Sequence, residues 1–405
     1  MEAVDHFLAT YDLEIKKARP NSWALLCNQS SWSFLRRQYL FQILASHNTL
    51  ARVFLPEHGL FAELQDQVGL DETSSYQFLA DGVEFISLYG TQESSLLVPA
   101  EKITDLDLLI VDIQDVGSRY YTFATTMAYV FEVIRDTHSN IRIVVIDRPN
   151  PAGLQVEGSV LQPEYASFVG YPGLPHRHGL TIGELALFFK DQIGLTNPVE
   201  VVYDDRLSAD YWFTRYTNEF QSGSLPGQYN SISIWPSPNM AHPVTPRIYS
   251  GQCLLEGTNL SEGRGTTRPF EIFGAPWLRS FAIDSELIVP GAQLRPLRFI
   301  PVYHKHANQV CEGFQIHLDD ANQYHSLAHT LRMLRLWKAR YTEFEWRDAE
   351  YEFRSDRPAI ELLAGDRLLL DFLEERESLQ ALNEYLSECE HSWRLAASYW
   401  YLHKR

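Results

Sequence analysis

Through its first 155 residues the chain alternates short apolar runs with helix-period segments, and no other feature constrains its fold as strongly. Strands are expected at 23–27, 51–55, 84–88, 106–112 and 142–146. The last two are nearly continuous in Leu, Ile and Val, as strands covered on both faces must be. Between them Tyr120, Phe123, Ala124, Met127, Phe131 and Ile134 recur at helical spacing, one apolar stripe suited to packing on a sheet. The pattern predicts βαβ units around a parallel sheet, an α/β fold.

The texture changes at Pro149. Residues 149–180 are rich in Pro, Gly and His. Thr181 and Glu184 have capping-box spacing and start a helix expected to reach Lys190, followed by a strand within 197–204. The stretch 222–247 contains Trp235-Pro236-Ser237-Pro238-Asn239 and connects two expected domains, 1–232 and 233–405. In the second, 315–318 alternates as a strand, and helices are expected over 328–340 and 379–400.

At 405 residues the chain is long enough for two domains, each with its own core. Asp and Glu number 52 against 34 Lys and Arg, a net charge of −18, and basic residues nowhere cluster beyond pairs. Nucleic acid is therefore excluded as the main partner, since phosphate binding needs clustered cations. No apolar stretch approaches the roughly 20 residues that span a bilayer, so no membrane partner is expected. The first 20 residues lack the apolar core of a signal peptide, and the four cysteines form no C-x-x-C pair. A cytoplasmic protein with reduced thiols is the expectation.

In open parallel sheets, ligands bind beyond the carboxyl ends of the strands. Three such ends carry polar clusters. Pro56-Glu57-His58-Gly59 follows the second strand. Asp112 to Tyr121 follows the fourth and contains Asp115, Arg119 and Tyr120. Asp147-Arg148-Pro149-Asn150-Pro151, with Glu157 soon after, follows the fifth. Each has a plain structural reading: a Glu-His pair makes a hydrogen-bonded corner, and Asp112 caps a helix with Arg119 neutralising it. Three clusters on one rim favour a site instead. A fourth polar segment, 256–271, lacks apolar periodicity and carries Asn259, Glu262 and Arg264.

Neither phosphate-binding glycine motif is present, so no nucleotide cofactor is expected, and no G-x-S-x-G elbow supports a hydrolase triad. The pairs His176/His178 and His304/His306 lack a third ligand at metal-site spacing, so no metal is expected either. Carboxylate chemistry fits best. Cleaving a glycosidic bond takes one carboxylic acid for the departing oxygen and a second carboxylate as base or nucleophile. Glu57, Asp112, Asp115, Glu157 and Glu262 are the candidates, with His58 orienting Glu57.

In these segments the chain resembles the NamZ-type exo-β-N-acetylmuramidase family. The matching motifs are Asn28-Gln29-Ser30, Pro56 to Gly59, Asp112 to Tyr121, Asp147 to Pro151 and Val156-Glu157-Gly158. Further on come His178 to Glu184, Pro236 to Asn239, Glu256 to Glu271, Gly274-Ala275-Pro276-Trp277, Lys305-His306 and Cys311-Glu312-Gly313. The resemblance implies a Rossmann-like parallel-sheet domain, a smaller C-terminal α+β domain and an active site in the cleft between them. It also implies release of terminal, non-reducing N-acetylmuramic acid from peptidoglycan fragments during cell-wall recycling, with a small amino-sugar substrate as the partner. That sugar carries a lactyl carboxylate, for which Arg119, Arg148 and Arg264 are candidate clamps. Tyr120, Asn150, Asn239 and Asn259 are candidate sugar contacts. A non-catalytic binder of anionic sugars is the alternative.

Overall fold

The structure, a computed structural model, describes residues 3–64, 68–70, 73–204, 234–240, 242–281, 287–403 and 405. Five strands come first: β1 (Trp23–Cys27), β2 (Leu50–Leu55), β3 (Glu84–Ser87), β4 (Leu108–Asp112) and β5 (Arg142–Ile146). An antiparallel hairpin, β6 (Glu157–Val160) with β7 (Pro175–Arg177), then leaves the sheet, and β8 (Val199–Val202) rejoins it. The sheet order is β3-β2-β1-β4-β5-β8 with every pairing parallel, a Rossmann-like arrangement whose strand order reverses between β1 and β4.

Strand alternation divides the core in two. Leu109 and Val111 face the cluster that holds α3 (Phe123–Asp136) and α4 (Ile182–Ile193). Leu108 and Ile110 face α1 (Ala3–Lys17) and α2 (Leu40–Ser46). Thus the continuous apolar runs are explained by burial on both faces. The helix expected from Tyr120 begins only at Phe123, because Gly117 at φ +87° and a Tyr121-to-Ser118 turn reverse the chain first. A Cβ on Gly117 would sit 2.2 Å from the Asn150 side chain, so the turn requires glycine. Thr181 and Glu184 form the expected capping box on α4, which runs on to Ile193 before Gly194 stops it.

The C-terminal half is smaller and mixed. It contains α5 (Thr245–Gln252), β9 (Ile272–Ala275), β10 (Ala292–Phe299), β11 (Cys311–Leu318), α6 (Ser326–Arg340), α7 (Ala359–Ala364), α8 (Arg367–Leu373) and α9 (Leu379–Ala397). Its sheet is antiparallel in the order β9-β11-β10. The α3/α4 core continues through Phe273, Phe314 and Trp337 to Leu386 and Trp393, so the halves share apolar packing. The closing helix reaches back as well: Trp393 donates to the His178 carbonyl at 2.9 Å, and Glu390 accepts from the Gly158 amide at 3.0 Å.

Two differences from the sequence expectation stand out. The Pro- and Gly-rich segment 149–180 contains the β6–β7 hairpin, and β10 occupies a segment left without an element. The boundary expected between 232 and 233 lies outside the described residues. Among the described residues no helix is long and apolar enough to cross a membrane, and no group of three His, Cys, Asp or Glu side chains is placed to hold a metal ion.

Candidate active site

The turn after β2 delivers the first acidic group. His58 and Gly59 adopt left-handed backbone, φ 76° and 80°, which turns the chain sharply at the sheet's carboxyl rim. Glu57 is buried there, and its Oε2 accepts from the Thr122 hydroxyl at 2.6 Å. The other oxygen, Oε1, has no partner among the described residues. His58 Nδ1 lies 3.1 Å from the Leu64 carbonyl, an oxygen that can only accept, so Nδ1 carries the proton.

Glu57 and His58 open onto a cavity between the two halves. Tyr120, Tyr121, Thr122 and Val169 complete the N-terminal wall. Ser237, Asn239 and Met240 contribute the connecting segment, and Tyr249, Glu256, Arg264, Phe270, Tyr351 and Glu352 the C-terminal wall. Among the described lining residues, Arg264 is the one arginine or lysine. Its guanidinium bonds Glu256 at 2.8 Å, approaches Glu262 at 3.2 Å and lies over the Phe270 ring. Tyr351 donates to the second oxygen of Glu256 at 2.6 Å.

Behind Arg264, Glu262 accepts from Lys305 at 3.0 Å and pairs with His304 at 2.9 Å. Burial alone would raise its pKa, but Lys305, His304 and Arg264 more than reverse this and hold the carboxyl well below the usual range. Glu262 is therefore an anion at neutral pH that anchors Arg264 from outside the lining.

Tyr121, the last residue of the Asp112 to Tyr121 segment, lines the cavity beside Tyr120. Its ring packs edge-on against Phe123 and Tyr249. Its hydroxyl is buried beside Ser237 and makes no well-formed hydrogen bond. Burial first, then the negative charges of Glu57 and Asp115, push the phenol pKa far up, so it remains a proton donor. Asp115 sits just beyond it. Asp115 Oδ2 accepts from the Gly117 amide at 2.7 Å and faces His178 Nε2 at 3.7 Å. Asp115 Oδ1 is buried without a hydrogen-bond partner among the described residues. His178 Nδ1 accepts from the Leu180 amide, which leaves its proton on Nε2, toward Asp115.

Several expected site residues lie elsewhere, each with a structural reason. Asp112 is fully buried and paired with Arg148 at 2.7 Å, joining the ends of β4 and β5, and Arg148 also donates to the Ser30 carbonyl. Arg119 is fully buried, donating to the Ser159, Leu363 and Ala364 carbonyls and packing on His176. Glu157 pairs with Arg177 at 2.7 Å and accepts from the Leu327 amide at the start of α6. Asn150 braces its own turn through Ala152 and Leu180, and Asn259 binds the backbone at Glu343 and Glu345. These contacts fix the rim and tie the halves together. The structure brings Glu57, His58, Tyr120, Asn239 and Arg264 into one cavity and leaves the others out. Sequence signals alone do not separate the two sets, since only pairing and burial distinguish them.

Fold and cavity define the class: a Rossmann-like α/β protein whose halves close over an acidic, aromatic-walled pocket. Residues 23–242 match the family model of the N-terminal domain of the exo-beta-N-acetylmuramidase NamZ, and 247–402 match that of its C-terminal domain. The peptidoglycan beta-N-acetylmuramidase NamZ of Bacillus subtilis is 35% identical over 341 residues, 83% of this chain and 76% of that protein. Crystal structures of two DUF1343 family proteins from Bacteroides fragilis superpose with TM-scores of 0.76 and 0.69, both at 24% identity. Each alignment covers 98% of this chain, with 98% and 97% of the respective neighbours. The chain belongs to the NamZ exo-β-N-acetylmuramidase family.

Proposed function

We propose that this protein is an exo-acting glycosidase that releases terminal, non-reducing N-acetylmuramic acid from peptidoglycan fragments. The observation that carries this reading is the meeting of Glu57 and Arg264 in one inter-domain cavity, a carboxylic acid and a carboxylate clamp facing the same space. Glu57 protonates the departing glycosidic oxygen through Oε1 while Thr122 holds Oε2. Asp115, which lies beyond Tyr121 and outside the cavity lining, is the second carboxylate of this reading, as base toward water rather than as a nucleophile touching the sugar. Arg264, fixed by Glu256 and Glu262, receives the lactyl carboxylate. His58 orients the Glu57 turn, and Tyr121 and Asn239 offer hydrogen bonds to the sugar.

The four cysteines are free thiols, three of them buried, which supports work in a reducing cytoplasm during cell-wall turnover. The test is incubation with a β-1,4-linked N-acetylmuramyl-N-acetylglucosamine disaccharide. Catalysis yields both monosaccharides in equal amounts over many turnovers. Saturable binding of the intact disaccharide with no product would establish the non-catalytic alternative and overturn the proposal.

A further inference from the structure

We infer that a second cavity, reached across Glu352 from the first, binds the neutral amino sugar that departs when the terminal residue is cut. The inference rests on the proposed hydrolysis and adds the place where the remainder of the glycan lies. The cavity has a volume of about 410 Å³, within the range of small-ligand sites. Glu352 lines both spaces, and the 168–170 turn divides them: Val169 faces the first, Phe168 and Gly170 the second. The first space is narrow, about 30 Å³, so a glycan whose reacting end meets Glu57 there has the larger adjoining space for the next sugar.

The lining suits a sugar. Tyr129, Phe168 and Tyr171 present aromatic surface for the C–H faces of a pyranose. Glu132, fixed by the Tyr171 hydroxyl at 2.8 Å, and Glu352, bonded by Tyr89 at 3.0 Å, accept hydrogen bonds from sugar hydroxyls. Glu93, Glu132 and Glu352 line the space with one cation, Arg354, which is held by both oxygens of Asp356 at 2.7 Å. These carboxylates supply acceptors for the hydroxyls of the uncharged leaving sugar. Glu352 and Phe353 are non-glycine residues in left-handed backbone, φ 48° and 63°. They are the central residues of a tight turn closed by Tyr351 and Arg354, which sets Glu352 between the two spaces.

The experiment compares two substrates of the full-length protein. One is the N-acetylmuramyl-N-acetylglucosamine disaccharide; the other is the trifluoroethyl β-glycoside of N-acetylmuramic acid, whose leaving group is too small to need the second cavity. Ala166→Trp fills that cavity from its rim, and Glu132→Gln removes one acceptor charge. Each is expected to raise KM for the disaccharide, about tenfold for Ala166→Trp, with kcat little changed. Both constants for the trifluoroethyl glycoside should stay within about twofold. An unchanged disaccharide KM in both variants, or equal losses on both substrates, would overturn the inference. A wild-type protein inactive on both would instead overturn the hydrolytic reading beneath it.

Discussion

Thr122 donates its hydroxyl to Glu57 at 2.6 Å, linking the residue that precedes α3 to the turn after β2 across 65 positions of chain. The bond holds one carboxylate oxygen and leaves the other toward the cavity. Thr122→Val frees the carboxylate to turn away from the cavity and should lower kcat roughly tenfold. Steady-state kcat and the melting temperature of both proteins check this, the second being expected to change little.

Tyr121 carries a buried phenol beside Ser237, with no well-formed acceptor for its proton among the described residues. Tyr121→Phe keeps the ring contacts with Phe123 and Tyr249 and removes only that donor. Melting temperature should change by no more than about 2 °C, while kcat/KM falls roughly 10- to 100-fold. A large loss of stability with proportionate loss of activity would mark the hydroxyl as structural.

Asp112 and Asp115 lie three residues apart and should respond in opposite ways. Asp112→Asn strips the counterion from buried Arg148 and should cost about 3–5 kcal/mol of stability, read by urea unfolding. Asp115→Asn leaves no cation unpaired. It should unfold near the wild-type midpoint and lose roughly 100-fold or more in kcat.

Glu262 supplies a pH signature. Its carboxyl is held below the usual value of 4.5, so its stabilising contribution is complete above that pH and is lost as pH falls toward the lower, folded value. Glu262→Gln leaves Lys305, His304 and Arg264 facing a neutral group. The deficit should be about 3–5 kcal/mol at pH 7 and shrink progressively below pH 4.5. Thermal unfolding of both proteins between pH 3 and pH 7 measures it.

The parallel sheet is legible because Leu106 to Asp112 and Arg142 to Ile146 leave no polar face for water, and the helix stripe from Phe123 to Ile134 has one partner surface only. The capping box at Thr181 is legible because it is local. The β6–β7 hairpin is not, since Glu157 and Arg177 meet across a Pro- and Gly-rich excursion that hides strand periodicity. At the site, the Glu-His turn announces itself, but Asp112, Asp115 and Glu157 look alike in sequence. Only the positions of Arg148 and Arg177 reveal that two of them are spoken for. Tyr120 and Tyr121 are adjacent and equally aromatic. Tyr120 spends its hydroxyl on the Ser250 carbonyl, 130 positions along the chain, a contact that no local pattern shows.

The most direct test of the account is the Glu57→Gln variant, assayed for N-acetylmuramic acid release from the disaccharide. The change keeps the side chain's shape and an acceptor for Thr122 but removes the transferable proton. We expect a fall in kcat of about 10²–10⁴-fold, KM within a few-fold and an unchanged melting temperature. A variant that turns over at the wild-type rate would contradict the assignment of Glu57 and the mechanism built on it.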